Sequence, residues 1–204
     1  MLLLSHTTHV TRTPDATHDL KSCLQTGENV LGVELGNGWF ASAGGQPGSH
    51  KTPPQLLLQA NILANGKDLQ VISSSTQSFK VHEGPIVYDS LYNGETYDSR
   101  KELKGWSAPG FDDTEWVAAS PATTDSASAA TLSSQLFEPI REISELKPVE
   151  ITEPKPGMFV VDFGQNIAGF VRLTMRDTTA GQNVTLRFSE LKMHPPYGAV
   201  DGTL

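Results

Sequence analysis

Gln55-Leu-Leu-Leu-Gln-Ala-Asn-Ile-Leu-Ala-Asn-Gly-Lys-Asp-Leu-Gln-Val-Ile72 is the stretch that decides the fold. Asn65-Gly66 is its centre, because both residues accept the positive φ angles of a type I′ turn. Before it, Gln55–Leu63 is an apolar run of strand length. After it, Leu69 and Val71 fall on one face of a returning strand, since side chains alternate along a strand. The stretch predicts a β-hairpin, and the text on either side predicts more short strands.

Toward the N-terminus, Gly27-Glu28-Asn29 reads as a turn and Val30–Leu35 as a strand of buried type. Gly36-Asn37-Gly38 then makes a tight turn. Trp39-Phe40 precedes a Gly/Pro/Ser loop that runs to about Pro53. Residues 1–25 are rich in Thr and His without a period and read as a poorly ordered lead-in.

Toward the C-terminus, Phe79–His82 and Ile86–Tyr88 are shorter strands, and Tyr92–Arg100 is a polar, aromatic loop. Asp112-Asp113-Thr114-Glu115 suits a single helical turn. Residues 119–136 shift to Ala, Ser, Thr and Asp and read as a linker. Beyond it, Pro148, Pro154 and Pro156-Gly157 argue against helix. Met158–Val161 reads as a buried strand. Phe170–Arg176 and Val184–Leu191 read as the two arms of a hairpin, with Val171, Leu173 and Met175 on one face. The expected organisation is therefore all-β: a β-sandwich over 26–118, a linker, and a smaller β-unit over 137–204.

Composition agrees with a turn-rich β protein. The 204 residues include 18 Gly and 13 Pro, with 37% hydrophobic residues. The net charge is −8, and Lys and Arg are scattered, so neither nucleic acid nor an anionic membrane surface is an expected partner. No apolar run approaches the ~18 residues of a membrane span. The one cysteine, Cys23, cannot form an intramolecular disulfide, which favours a reducing compartment. Met1-Leu-Leu-Leu4 is too short for a signal peptide, so the cytoplasm is favoured. Asn183-Val184-Thr185 is a glycosylation sequon inside an expected strand and is read as strand sequence.

The densest ligand chemistry lies in Tyr92-Asn93-Gly94-Glu95-Thr96-Tyr97-Asp98-Ser99-Arg100. Asn93, Glu95 and Asp98 supply the oxygens that calcium takes. Tyr92 and Tyr97 offer ring faces to a sugar, and Asn93, Glu95, Asp98 and Arg100 offer hydrogen bonds. The plainer reading, a local charge and turn network, is the commoner outcome for such a loop. Of the three tryptophans, Trp106 and Trp116 read as packing residues and Trp39 as the one with a chance to stack on a sugar. Asp162, Gln165 and Asn166 read as turn residues. The histidines show no metal-ligand spacing, and no residue is assigned to catalysis.

Three stretches together resemble one family. They are Thr26–Phe40; Gly84–Arg100 with Gly105-Trp106 and Pro109–Trp116; and Val161-Asp-Phe-Gly-Gln-Asn-Ile-Ala-Gly-Phe170. In this order they are similar to the bacterial-type α-L-rhamnosidases, glycoside hydrolases that release terminal α-L-rhamnose with inversion. The first two stretches resemble the family's N-terminal β-domain and the third the entry to its concanavalin-like domain. The resemblance implies rhamnose-containing glycans as the partner, and in some members a calcium-dependent rhamnose-binding module. It places the acid and base on a helical domain that does not appear before Leu204. The expectation is a non-catalytic fragment of such an enzyme. The alternatives are a stand-alone carbohydrate-binding β-sandwich or a truncated product without function.

Overall fold

The computed structural model describes residues 12–38, 41, 53–122 and 131–189. In chain order the strands are β1 (Arg12–Asp15), β2 (Gln59–Ala64), β3 (Lys67–Ser73), β4 (Lys80–Val81), β5 (Ile86–Ser90), β6 (Gly94–Tyr97), β7 (Val117–Ala118), β8 (Thr131–Ser134), β9 (Glu150–Lys155) and β10 (Met158–Asp162). Single 3₁₀ turns lie at Lys21–Cys23 and Ser99–Lys101. No α-helix occurs among the described residues, so the class is all-β. The strands pair in twos: β2–β3, β4–β7, β5–β6 and β9–β10 antiparallel, and β1–β8 parallel.

The decisive hairpin forms as its turn chemistry dictates. Asn65 and Gly66 have φ of 52° and 74°, and Ala64 pairs with Lys67 across them. The first arm is shorter than expected and begins at Gln59. The Ser74 hydroxyl accepts from the Leu58 N–H at 3.1 Å, and the Ser74 N–H donates to the Leu58 carbonyl at 2.8 Å. These bonds close the hairpin below its ladder.

Other expectations are corrected. Val30–Leu35 is not a strand. This segment is held by side chains instead: Gly32 lies against the Trp106 ring, and Asn37 is tied to Asp89. Gly94–Tyr97, read as loop, is a strand against β5. Inside the stretch read as lead-in, β1 pairs with β8, which lies inside the stretch read as linker. Asp112–Glu115 forms a turn rather than helix, with the Thr114 N–H on the Asp112 carboxylate at 3.1 Å and the Trp116 N–H on the Asp113 carbonyl at 3.1 Å.

An aromatic cluster anchors this part of the chain. Trp106 stacks on Trp116 with ring centroids 6.1 Å apart at 25°. Phe111 meets Trp116 edge-on at 5.9 Å, and His82 lies 5.5 Å from it. Trp106 and Trp116 are thus packing residues, and offset aromatic pairs of this kind add to plain burial.

The chain divides into two compact units between Glu138 and Pro139. In the second, Gly157 turns β9 into β10 with φ 78°, and its N–H donates to the Glu153 carboxylate at 2.7 Å. Met158–Asp162 is a strand, but not a buried one: Phe159 and Val161 face outward, and Met158 and Val160 are half-buried. Phe170–Arg176 and Val184–Ser189 form no ladder, although the turn between them does form. There the Gln182 N–H donates to the Thr179 carbonyl at 3.0 Å, and Gly181 has φ 84°. Phe170, Leu173, Leu186 and Phe188 stay exposed, so no buried face repays the cost of ordering these arms. The sequon at Asn183–Thr185 accordingly lies outside any strand.

Candidate functional site: the β5–β6 hairpin and its flank

The candidate residues gather on one hairpin. Ser90 pairs with Gly94, Asp89 with Glu95 and Tyr88 with Thr96, leaving Leu91, Tyr92 and Asn93 at the tip. Gly94 has φ 85°, a backbone angle that favours glycine and lets the chain turn back at once. The Asn93 N–H donates to the Ser90 hydroxyl at 3.3 Å. Downstream, the Asp98 N–H donates to the Pro85 carbonyl at 2.8 Å and fixes the end of β6.

The hairpin is clasped from the N-terminal side. The Asn37 backbone N–H donates to Asp89 Oδ2 at 2.9 Å, and Asn37 Nδ2 donates to the Asp89 carbonyl at 3.1 Å and also to Oδ1. Gly36 leaves room for this, because a Cβ there would sit 3.1 Å from Asp89 Oδ2. Sequence reading passed over Asn37 and Asp89 as site-forming residues. The only signal was the Gly36-Asn37-Gly38 turn, and its partner lies 52 positions away.

At the other end, Asp98 caps the 3₁₀ turn and holds Arg100 in a two-pronged pair. Arg100 Nε donates to Oδ1 at 2.8 Å, Nη2 to Oδ2 at 2.6 Å, and the Arg100 N–H also reaches Oδ1 at 3.1 Å. These bonds from Arg100 stabilise the carboxylate and lower its pKa to about 2. They raise the Arg100 pKa in turn. The Tyr97 hydroxyl donates to Glu102 Oε1. That bond, then burial, then the charges of Glu102, Glu34 and Glu95 push the phenol up to about 12. The setting of Tyr97 is therefore acidic.

Tyr92 and Tyr97 keep 65% and 50% of their surface exposed, and Tyr88 is exposed beside them. Glu95 and Arg100 are exposed, and Asp98 is half-buried. The arrangement offers aromatic surface flanked by hydrogen-bonding groups, which suits a sugar. Both Asp98 oxygens accept from Arg100, and Asp98 lies just past the end of β6. Among the described residues no group of three or more His, Cys, Asp or Glu is gathered around a metal position. Trp39 lies outside the described residues.

Comparison with known proteins accounts for both units. Residues 2–144 match the α-L-rhamnosidase N-terminal domain, and residues 152–203 match the bacterial α-L-rhamnosidase concanavalin-like domain. An α-L-rhamnosidase of Streptomyces avermitilis is 39% identical over 191 residues, which is 92% of this chain and 18% of that protein. One from Alteromonas sp. is 30% identical over 177 residues, 85% of this chain and 19% of the relative. The solved α-L-rhamnosidase of Dictyoglumus thermophilum is 40% identical, with a TM-score of 0.46, over 55% of this chain and 12% of that one. The chain thus spans less than a fifth of the length of these relatives. With residues 2–144 matched to one domain of the family and most of the remainder to the next, the chain belongs to the bacterial α-L-rhamnosidases.

Proposed function

We propose that this chain is a non-catalytic β-rich portion of an α-L-rhamnosidase, and that it supports the enzyme and holds rhamnose-containing glycan. The observation that carries the reading is the ordered match to the N-terminal and concanavalin-like domains within so small a share of the relatives' length.

The sugar-holding surface is the β5–β6 hairpin, where Tyr92 and Tyr97 present rings beside Asn93, Glu95, Asp98 and Arg100. Glu34, Glu95 and Glu102 around Tyr97 favour a neutral sugar over a uronate. Rhamnose is neutral, and its methyl group adds apolar surface for a ring to cover. A single sugar on an exposed hairpin should bind weakly, with Kd on the order of 1 mM.

The test pairs an assay with calorimetry. The chain should leave p-nitrophenyl α-L-rhamnoside unhydrolysed. It should give rhamnose binding heats that Tyr92→Ala, Tyr97→Ala and Glu95→Ala each diminish. Turnover abolished by one carboxylate substitution would move the active site into this chain. Identical heats in all three variants would remove the hairpin from the reading.

A further inference from the structure

Asp89 and Glu95 stand directly opposite each other in the β5–β6 ladder. Residues so paired share one face of the hairpin, and Tyr97, two positions after Glu95, lies on that face as well. Like charges directly opposite are a destabilising cross-strand pair. Among the described residues neither carboxylate has an ion-pair partner to offset it. The chain treats the two members differently. Asp89 is half-buried, and its carboxylate is held by Asn37. Glu95 is exposed, and among the described residues no hydrogen bond or ion pair engages its carboxylate.

The donors that hold Asp89 carry no charge and come from outside the hairpin. The Asn37 backbone N–H takes Oδ2 at 2.9 Å, and its carboxamide takes Oδ1 and the Asp89 carbonyl. Gly36 has no side chain to obstruct this grip, since a Cβ there would stand 3.1 Å from Oδ2. A carboxylate gripped at both oxygens is not free to swing toward the opposite strand. Of the ladder pair, one carboxylate is therefore left free on the face that carries Tyr97.

We infer that Asn37 is a positioning residue for the sugar-holding face: by keeping Asp89 turned aside, it leaves Glu95 in place beside the Tyr97 ring to accept hydrogen bonds from sugar hydroxyls. The role rests on the hairpin being that sugar-holding surface. Released from Asn37, the Asp89 carboxylate would set its charge against Glu95, and Glu95, exposed and unheld, is the member that moves. Asn37 need touch no sugar; it acts through Asp89 and then Glu95.

The test has two readouts, one of them without sugar. In urea unfolding of the full chain, Asn37→Ala should lower the midpoint. Glu95→Gln added to it removes the opposing charge, and should raise the midpoint again by more than the same substitution does in the native chain. In calorimetry with rhamnose, Asn37→Ala should weaken binding about fivefold. Asp89→Asn added to it removes the released charge, keeps the shape of the side chain, and should restore most of the affinity. A clasp that only braced the hairpin would give neither recovery, because the Asn37 side-chain bonds stay broken in both double variants. Additive effects of Asn37→Ala and Glu95→Gln in urea overturn the inference. So does a double variant with Asp89→Asn that binds rhamnose no better than Asn37→Ala alone. Rhamnose heats that Tyr97→Ala and Glu95→Ala leave unchanged, or no heat from the native chain, overturn the sugar surface itself, and the urea coupling then shows separately whether Asn37 keeps Asp89 from Glu95.

Discussion

Gly32→Ala probes the segment where a strand was expected and side-chain packing was found. A Cβ at Gly32 would sit 2.5 Å from Trp106 Cζ3, 2.8 Å from Cη2 and 2.9 Å from the Ser107 Cβ. Comfortable carbon contacts begin near 3.5 Å, so something must move by roughly an ångström. The indole is hard to displace, because it stacks on Trp116, which is met in turn by Phe111 and His82. Overpacking of this kind costs about 1–3 kcal/mol. With a urea dependence of about 2 kcal/mol per molar, the unfolding midpoint should fall by roughly 0.5–1.5 M. Tryptophan fluorescence is a suitable readout, since two of the chain's three tryptophans belong to this cluster. Gly84→Ala is the control: nothing lies within 4 Å of its added methyl, and the change should stay within about 0.5 kcal/mol. Trp106→Phe shortens the ring, so the double variant with Gly32→Ala should cost less than the sum of the two singles. If Gly32→Ala unfolds at the same midpoint as Gly84→Ala, the packing argument is refuted.

Asp89→Ala removes the carboxylate that takes the Asn37 backbone N–H and carboxamide, and should cost about 1.5–3 kcal/mol in the same urea experiment. Tyr97 has a folded pKa of about 12 against an ordinary 10.0. The stability it contributes is full below about pH 10 and is lost as pH rises toward 12; Glu102→Gln should bring its tyrosinate absorbance back toward the ordinary range. Asp98 has a folded pKa of about 2 against 3.8. Its contribution is present above about pH 4 and is lost as pH falls toward 2, so Asp98→Asn should flatten the acid limb of the melting curve over that interval. Because Arg100 is largely exposed, salt should shrink this difference.

The parts of the fold that were legible in the sequence are those whose cause is local. Asn65-Gly66 specifies its turn through its own φ preferences, and β3 follows at once. Thr179–Gln182 likewise makes its turn with its own groups. Val30–Leu35 failed as a strand because its neighbour is a ring some 70 positions away, and Gly32, apparently a flaw in a strand, is the residue that lets that ring approach. β6 was hidden because Gly94-Glu-Thr-Tyr97 has no apolar alternation, and its order comes from the ladder with β5. β1 and β8 are polar strands more than a hundred residues apart, and no periodicity in either announces the other. Phe170–Arg176 shows the reverse case. Its alternation is clear, yet alternation specifies a face and not a partner, and the face stays exposed.

The candidate site divides along the same line. Asp98 and Arg100 are two positions apart, so their pairing was legible as a local charge network, and that network is present. The acidic setting of Tyr97 is different. Glu95 and Glu102 stand close in sequence, but Glu34 comes from the far side of the Asn37–Asp89 clasp and was beyond local reading. The clasp therefore does two things at once. It anchors β5, and it brings an acidic group from the N-terminal segment up to the ring proposed to face the sugar. A hairpin on its own would present Tyr97 with two carboxylates beside it. The folded chain presents it with three, and this added negative charge, supplied through tertiary structure, strengthens the case for a neutral sugar as its ligand.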